Sequence, residues 1–371
     1  MAKSIDQFLP TEMIFKICKS WLSIITNPQF IRTHLTISNT QHPSLDNLAY
    51  LLCFNAMVRD QPESVPLAFL GSRENSSCIQ LPLQFHTGTQ SRFTRFRFIG
   101  YCNGLVCIAD YYSPMLYVWN PSIKRFKMLP TPNLITKTTG VKLGFGYDSV
   151  CDDYKVVRIL VSSVSNVVEA ELYSANEDRW RDIEVPVGLN NAWPLWSYIP
   201  VHAINEVLYF VASQVLVSFD LHNELFEVYR YPFPMKDIRN FTSLIYEGAV
   251  AMIFKTAVGD GLVHSLWTLD DAGGKVCWTK KSVFEPELEI DRVELYLGSG
   301  CFVAVDFCDF QYFVYDLEKK ETERLLLSLV EHNVSSVVKY TESLVSLAGF
   351  EQVEKVVLSE ETMHTVLFPS Q

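Results

Sequence analysis

The sequence of 371 residues predicts an all-β fold, a single β-propeller of six or seven blades that follows a small helical segment. The first observation behind this prediction is a short sequence unit that recurs about every 48 residues. The second is the texture around each unit, where short, often alternating runs of β-branched and aromatic residues are typical of strands. The third is a change of texture before about residue 36, where apolar residues follow a helical spacing.

Each repeated unit consists of an apolar run, an aromatic or leucine anchor, and a small residue that favours a turn. Asn, Asp, Ser and Thr suit the last position because their short side chains hydrogen-bond the next backbone N–H groups. A period near 48 residues lies between the lengths of two known propeller repeats, whereas a β-sandwich predicts no regular period of this length. The units are Phe69-Leu70-Gly71, Val118-Trp119-Asn120, Leu172-Tyr173-Ser174, Ser218-Phe219-Asp220, Leu266-Trp267-Thr268, Val314-Tyr315-Asp316 and Val357-Leu358-Ser359.

The N-terminal segment, residues 1–36, is expected to form a separate helical head, and residues 37–371 are expected to form the propeller. Leu9, Met13, Ile17 and Trp21 recur at roughly the spacing of one helical face. Pro10 suits such a helix because proline is tolerated in its first turn.

The composition excludes a disordered chain, since 48% of the residues are hydrophobic and only 20% are charged. The formal net charge is −11, with a net +3 on residues 1–98 and −14 on residues 99–371. An acidic body disfavours binding to nucleic acid, whose phosphates need basic side chains, and favours a basic protein partner.

No segment predicts export or membrane insertion. The N-terminus lacks a long apolar run, and the longest uncharged stretch, residues 185–205, contains three prolines and three asparagines. The nine cysteines include no C-x-x-C pair and are expected to be free thiols in a reducing compartment. We therefore expect a cytoplasmic or nuclear protein.

The residues of the propeller predict no catalytic, metal or cofactor site. The eight histidines are dispersed, without the H-x-x-x-H spacing of a metal site. Gly144-Phe145-Gly146 lacks the third glycine of a dinucleotide loop, so we interpret it as a turn or bulge. Asp152 and Asp153 are adjacent, and neighbours on a strand face opposite ways, so we interpret the pair as a turn between strands.

Two segments are candidates for binding a target protein. Trp193 and Trp196 lie in a proline-rich stretch, where they either form a binding hot spot or anchor a buried loop. Glu287, Glu289 and Asp291 belong to the densest acidic stretch, which is either a solvated edge or a surface that attracts a basic partner. The sequence leaves both pairs of alternatives open.

Four motifs in order, over about 60 residues, resemble the plant F-box-associated domain, most closely that of the S-locus F-box group. This resemblance implies a kelch-like propeller that binds a protein target and has no catalytic activity. The motifs are Gly100-Tyr101-Cys102-Asn103-Gly104-Leu105-Val106-Cys107, Val118-Trp119-Asn120-Pro121-Ser122, Leu143-Gly144-Phe145-Gly146-Tyr147-Asp148 and Asp152-Asp153-Tyr154-Lys155-Val156-Val157.

The head resembles a shortened F-box. Phe8-Leu9-Pro10 is similar to the opening of that domain, and Cys18-Lys19-Ser20-Trp21 and Asn27-Pro28-Gln29-Phe30 are similar to its close. Only seven residues separate Pro10 from Cys18, so the middle of the domain is missing. Either the protein lacks this segment or the gene model omits it. The resemblance implies a surface for a Skp-type adaptor, formed by Leu9, Pro10, Ile14, Ile17 and Trp21.

The resemblance therefore predicts a substrate-recognition subunit of an SCF-type ubiquitin ligase, joined to a cullin through the adaptor. The shortened head is expected to weaken or abolish that link. The alternative is a protein-binding propeller that is uncoupled from the ligase. The S-locus resemblance further implies basic style ribonucleases as targets, in self-incompatibility.

Overall fold

A computed structural model describes two short helices and 25 strands. The first helix, α1, is described over residues 20–25, and α2 is Pro28–Thr40. Within the described ranges, no helix is long and apolar enough to cross a membrane. The described residues are 20–40, 50–57, 64–71, 79–82, 96–110, 114–134, 140–162, 168–186, 189, 201–212, 215–232, 241–258, 261–271, 276–286, 290, 292–306, 311–324 and 333–352.

The strands form six antiparallel sheets, which we number in chain order. Sheet 1 contains β1 (Tyr50–Met57), β2 (Ser64–Gly71), β3 (Ile79–Pro82) and β24 (Asn333–Lys339). Sheet 2 contains β4 (Phe96–Cys102), β5 (Leu105–Asp110), β6 (Leu116–Asn120), β7 (Arg125–Met128) and β25 (Glu351–Gln352). Sheet 3 contains β8 (Gly140–Asp148), β9 (Asp153–Val161), β10 (Val168–Ser174) and β11 (Arg179–Ile183).

The remaining three sheets follow the same order of strands, each pairing with the next along the chain. Sheet 4 contains β12 (His202–Ile204), β13 (Val207–Val211), β14 (Val215–Asp220) and β15 (Phe226–Arg230). Sheet 5 contains β16 (Phe241–Tyr246), β17 (Ala249–Val258), β18 (Gly261–Asp271) and β19 (Val276–Phe284). Sheet 6 contains β20 (Arg292–Gly298), β21 (Cys301–Asp306), β22 (Gln311–Asp316) and β23 (Glu321–Arg324).

The sheets surround a common axis. The innermost strand is β24 in sheet 1 and the first strand in each of the other five sheets. These inner strands contact one another: β4 contacts β8 and β24, and β20 contacts β16 and β24. The core lies between successive sheets, where their facing apolar side chains pack together. Leu208 and Phe210 of sheet 4, for example, are fully buried against Val157 and Ile159 of sheet 3. The predicted all-β propeller is therefore present.

The prediction of six or seven regular, four-stranded blades is wrong, because the described residues form five. Five sheets have the four strands of a regular blade, and sheet 2 departs from that pattern with five. The departure arises because the C-terminal residues extend existing sheets instead of forming a further blade. β24 pairs with β1 in sheet 1, and β25 pairs with β7 in sheet 2. The unit predicted at Val357-Leu358-Ser359 lies outside the described residues.

The six repeated units that are described all lie on the third strand of a sheet, counted outward from the axis. At three of them, Asn120, Asp220 and Asp316, the side-chain Oδ1 accepts hydrogen bonds from the backbone N–H groups two and three residues later. The residue four positions on has a positive φ, between 54° and 59°, in each case. These contacts confirm the interpretation of Asn120, Asp220 and Asp316 as turn formers. The prediction is wrong for Thr268, which lies inside β18 and pairs with Ala251 and Thr279.

A C-terminal strap, residues 340–350, crosses sheet 2 after β24. The Asn120 Nδ2 donates hydrogen bonds to the carbonyls of Ser343 at 3.0 Å and Val345 at 2.7 Å. The Tyr101 hydroxyl accepts a hydrogen bond from the N–H of Thr341 at 2.8 Å. Gly104 lies so close to the strap that an added Cβ would be 2.1 Å from the Ser343 Cβ. The motif residues of β4 to β6 therefore hold the C-terminal residues in place.

Gly144-Phe145-Gly146 does not form the turn or bulge that the sequence predicts. Both glycines lie inside β8, the inner strand of sheet 3. A Cβ at Gly144 would lie 2.9 Å from Leu208, and one at Gly146 would lie 2.6 Å from Leu221. These glycines are present because sheet 4 packs directly against the backbone of sheet 3, a contact that the local sequence does not reveal.

The antiparallel order gives the propeller two distinct sides. In sheets 2 to 6, the turns from the first to the second strand and from the third to the fourth strand lie at one end, which we name the turn side. The turns from the second to the third strand, and the strand ends that lead to the next sheet, lie at the other end, which we name the connection side. The Asp152 turn between β8 and β9 is on the turn side.

Candidate functional site

Of the residues that the sequence proposes for adaptor binding, Trp21 is described. It lies on α1 with 64% of its surface exposed. The other proposed residues, for the adaptor and for the target, lie outside the described part of the chain. They are Leu9, Pro10, Ile14, Ile17, Trp193, Trp196, Glu287, Glu289 and Asp291.

The two helices begin and end where their sequence favours it. Asn27 precedes α2, and its Oδ1 accepts hydrogen bonds from the N–H groups of Gln29 at 2.8 Å and Phe30 at 3.3 Å. Pro28 occupies the first helical position, where its missing N–H costs nothing. The Thr26 hydroxyl donates to the carbonyl of Leu22 at 2.6 Å at the end of α1. A tight, capped corner therefore joins the helices.

The helices expose a group of large apolar side chains, which we name the head surface. Exposed apolar residues this dense are typical of protein interfaces, because water contact with them is unfavourable. Of these residues, the sequence pattern indicated only Trp21. The number of apolar residues between residues 21 and 37 was a signal that could have found them. The head surface comprises Trp21, Leu22, Ile24, Ile25, Phe30 and Ile37.

An ion pair joins α2 to the propeller. The Arg32 guanidinium donates to the Asp152 carboxylate, in the turn between β8 and β9. The Tyr147 hydroxyl donates to the other oxygen of the same carboxylate at 2.5 Å. The hydrogen bond from Tyr147 lowers the pKa of Asp152, and Arg32 lowers it further. Asp152 lies in the turn that the sequence predicts for the Asp152-Asp153 pair, whereas Asp153 is already the first residue of β9.

A group of charged residues lies beside this contact, between sheets 3 and 4. The Lys155 Nζ donates to Asp148 at 2.8 Å, to the Leu221 carbonyl at 2.6 Å, and to Glu224 at 3.4 Å. Burial alone would raise the pKa of Asp148, but the hydrogen bonds from Lys155 and the Cys151 N–H lower it to about 2. The buried lysine is thereby compensated, and it ties the two sheets together.

Asp148, Cys151 and His222 offer the one cluster of metal-ligand types found among the described residues, with their ligand atoms within 4.8 Å of one another. Cysteine, histidine and aspartate can bind zinc. However, one Asp148 oxygen already accepts the N–H groups of Val150 and Cys151, and the other accepts Lys155. We therefore assign this carboxylate to the turn and the ion pair.

The Cys151 thiol is also poorly suited to act as a nucleophile. Its Sγ lies 4.0 Å from the His222 Nδ1. Loss of hydration and the neighbouring Asp148 raise the pKa of the thiol, which keeps it protonated at neutral pH. Cys151 and His222 therefore do not form an activated nucleophile and base. The head surface and the charged residues beside it are suited to binding a partner through apolar and charged contacts.

Comparison with known proteins gives a consistent result. The family model of the F-box associated beta propeller domain matches residues 50–348. An F-box protein of Arabidopsis thaliana is 25% identical over 363 residues, which cover 95% of this chain and 85% of the relative. An F-box/kelch-repeat protein of the same plant is 25% identical over 299 residues, which cover 78% of this chain and 79% of the relative.

Proposed function

The chain belongs to the family of F-box associated beta propeller domains, and we propose that it is a substrate-recognition subunit of an SCF-type ubiquitin ligase. The observation that carries the proposal is the head surface, an exposed apolar surface on the helices that precede the propeller. In this role the head binds a Skp-type adaptor, which connects to a cullin, and the propeller binds the target. The chain itself catalyses no step and acts in the cytoplasm or nucleus.

The adaptor contact combines the head surface with Leu9, Pro10, Ile14 and Ile17. A stable protein interface usually buries about 1,000 Å² or more, and aromatic residues contribute strongly to it. A head that lacks the middle of an F-box offers less area than a full one. We therefore expect weak adaptor binding, and a propeller uncoupled from the ligase is the second candidate.

The target is assigned to the connection side of the propeller. Support comes from the position of Arg32, which contacts Asp152 on the turn side and so places the head there. The two segments proposed for target binding, with Trp193 and Trp196 and with Glu287, Glu289 and Asp291, both connect the last strand of one sheet to the first strand of the next. The net charge of −14 on residues 99–371 favours a basic target. Basic style ribonucleases, implied by the S-locus resemblance, meet this requirement.

Adaptor binding tests the proposal directly. Trp21→Ala should reduce the affinity for a Skp-type adaptor about thirtyfold, the effect of losing an interface hot spot. Leu225→Ala is the matched control, since Leu225 is also 64% exposed but lies on sheet 4, in the turn before β15. It should leave the affinity unchanged. Binding can be measured by surface plasmon resonance with the immobilised adaptor.

The other outcomes separate the two candidates. If the unaltered chain shows no adaptor binding at micromolar concentrations, the chain acts as a protein-binding propeller that is uncoupled from the ligase. Insertion of the missing F-box segment from a relative should then restore binding. If the unaltered chain binds at nanomolar concentrations, the shortening of the head has no functional cost.

A further inference from the structure

The contact between head and propeller has a definite geometry. Arg32 extends from the exposed side of α2 and meets a carboxylate 120 residues further along the chain. Both side chains are more than half exposed, so neither is held by burial. The contact lies on the turn side, whereas the target is assigned to the connection side. The inference below therefore rests on the proposed function for its biological meaning, although the contact itself does not depend on it.

The carboxylate of Asp152 is oriented before any partner reaches it. Tyr147 donates a hydrogen bond to its Oδ1, and the Tyr147 ring lies 4.8 Å from the ring of Tyr154, measured between centroids. The Asp152 backbone is fixed as well, because the Asn176 Nδ2 donates to the carbonyls of Cys151 and Asp152, both at 3.2 Å. Little conformational entropy remains to be lost when a guanidinium binds.

We propose that Asp152 is a positioning residue that, together with Tyr147, holds Arg32 and so fixes the orientation of the head on the propeller. In the ligase, this joint sets the direction in which a bound adaptor and cullin extend from the target. Loss of this joint leaves the adaptor and target surfaces intact but allows the head to change its orientation relative to the propeller. Ubiquitin transfer then becomes slower and less selective among the lysines of the target.

The expected size of the effect follows from the exposure of the pair. An exposed ion pair shifts an equilibrium by about fivefold at most. The pair is also screened by salt, because the Debye length falls to about 3 Å at 1 M ionic strength. The head should therefore be mainly docked at low salt and should populate a second, undocked state at high salt.

Distance measurements on the full chain test the joint without an adaptor. Spin labels are attached through ketone-bearing amino acids at Thr33 and Asn223, which are both exposed, and the distance between them is measured by double electron–electron resonance. The unaltered chain should give one narrow distribution at low salt. Asp152→Asn should increase the undocked fraction up to about fivefold, and Tyr147→Phe should increase it by less.

The chain provides a matched control. Glu177 forms an exposed pair with Arg179 at 2.7 Å, in the neighbouring turn of sheet 3, and does not pair with the described residues of the head. Glu177→Gln should leave the distribution unchanged. The double substitution of Arg32→Asp with Asp152→Arg should restore the narrow distribution. If Asp152→Asn and Tyr147→Phe both give the distribution of the unaltered chain, the joint does not exist.

A second readout separates this inference from the proposed function. Where the adaptor binds, Asp152→Asn should leave its affinity unchanged and lower the rate of target ubiquitination about two- to fivefold. Equal rates would remove the positioning role. If the unaltered chain fails to bind the adaptor, the ligase function is wrong, and the distance measurements still decide whether Asp152 holds the head.

Discussion

At the scale of the residue, the motif positions of this family act through contacts that are distant in sequence. Gly104 has a φ of +81° and contacts Ser343, and Asn120 uses both ends of its amide. Its oxygen caps a local turn, and its nitrogen binds the strap. A residue that makes a local and a distant contact at once tolerates few replacements.

Gly104 and Gly248 allow the energetic cost of backbone strain to be distinguished from the cost of close packing. Gly104 and Gly248 have nearly equal φ values, +81° and +80°, but no atom lies within 4 Å of a Cβ placed at Gly248. Gly248→Ala should lower the free energy of unfolding by about 1–2 kcal/mol, the cost of a left-handed residue. Gly104→Ala should cost about 1–3 kcal/mol more, because the strap must move. Urea unfolding measures both, and equal losses would contradict the close contact.

A buried histidine makes the stability depend on pH. His264 lies against Phe284, with 5.3 Å between ring centroids, and burial, with a smaller contribution from Lys255, lowers its pKa to about 4. The unfolded chain binds a proton there near pH 6.5, so the folded state loses stability as the pH falls from about 6.5 to 4. The expected loss is roughly 3 kcal/mol.

His264→Phe removes the titrating group and keeps an aromatic ring against Phe284. The unfolding free energy of this variant should fall by roughly 3 kcal/mol less than that of the unaltered chain between pH 7 and pH 4. Denaturant unfolding at several pH values gives the comparison. Parallel pH profiles would show that His264 does not titrate in this range.

At the scale of the element, the strap and the turns on the third strands perform different tasks with similar residues. Asn120 and Asp220 cap equivalent turns, of sheets 2 and 4, with the same oxygen. Only Asn120 of the two also donates to the strap, because sheet 2 is the sheet that the strap crosses. A substitution that changes only the Asn120 amide nitrogen therefore tests the contact with the strap and leaves the turn intact.

Asn120→Asp tests the strap while preserving the turn. The new carboxylate keeps the oxygen that caps the turn but faces the carbonyls of Ser343 and Val345 without a donor. We expect a loss of about 3 kcal/mol or more in the free energy of unfolding, because a buried charge is left unpaired. Asp220→Asn, the reciprocal control, should change it by less than about 1 kcal/mol. Similar losses in thermal or urea unfolding would contradict the assignment.

At the scale of the whole molecule, β24 closes the propeller. It pairs with β1 in sheet 1 and contacts the inner strands β4 and β20. Ring closure removes the exposed strand edges that otherwise lead to aggregation. β1 and β24 are therefore held by one another, and each sheet depends on the presence of its neighbours.

Two truncations distinguish closure from strap binding. A chain that ends before Asn333 lacks β24, and it should aggregate because β1 presents an open edge. A chain that ends after Leu344 keeps β24, and it should remain monomeric but less stable, because it has lost Val345 and β25. Size-exclusion chromatography with light scattering and circular dichroism report these states. A monomeric first fragment with an unchanged melting temperature would contradict closure by β24.

The sequence alone determined the features that depend on neighbouring residues. The strand that carries each described repeated unit, the turns after Asn120, Asp220 and Asp316, and the helical character of residues 20–36 all follow from contacts between residues a few positions apart. These contacts give a pattern in the sequence, such as an anchor followed by Asn120 or Asp220. The resemblance in the motifs likewise led to the correct family, because the motif residues have fixed partners.

Only the tertiary structure decided how distant parts of the chain meet. β24 pairs with β1 across most of the chain, Arg32 meets Asp152, and Gly144 faces Leu208. Any alternating strand fits a sheet edge, and any exposed arginine fits a carboxylate, so no local pattern specifies these partners. The number of regular blades was mispredicted for this reason. Residues that the sequence assigns to one more repeat instead form β24, which closes the ring, and the strap, which crosses sheet 2. β24 covers the free edge of β1, and the strap carbonyls accept hydrogen bonds from the buried Asn120 amide.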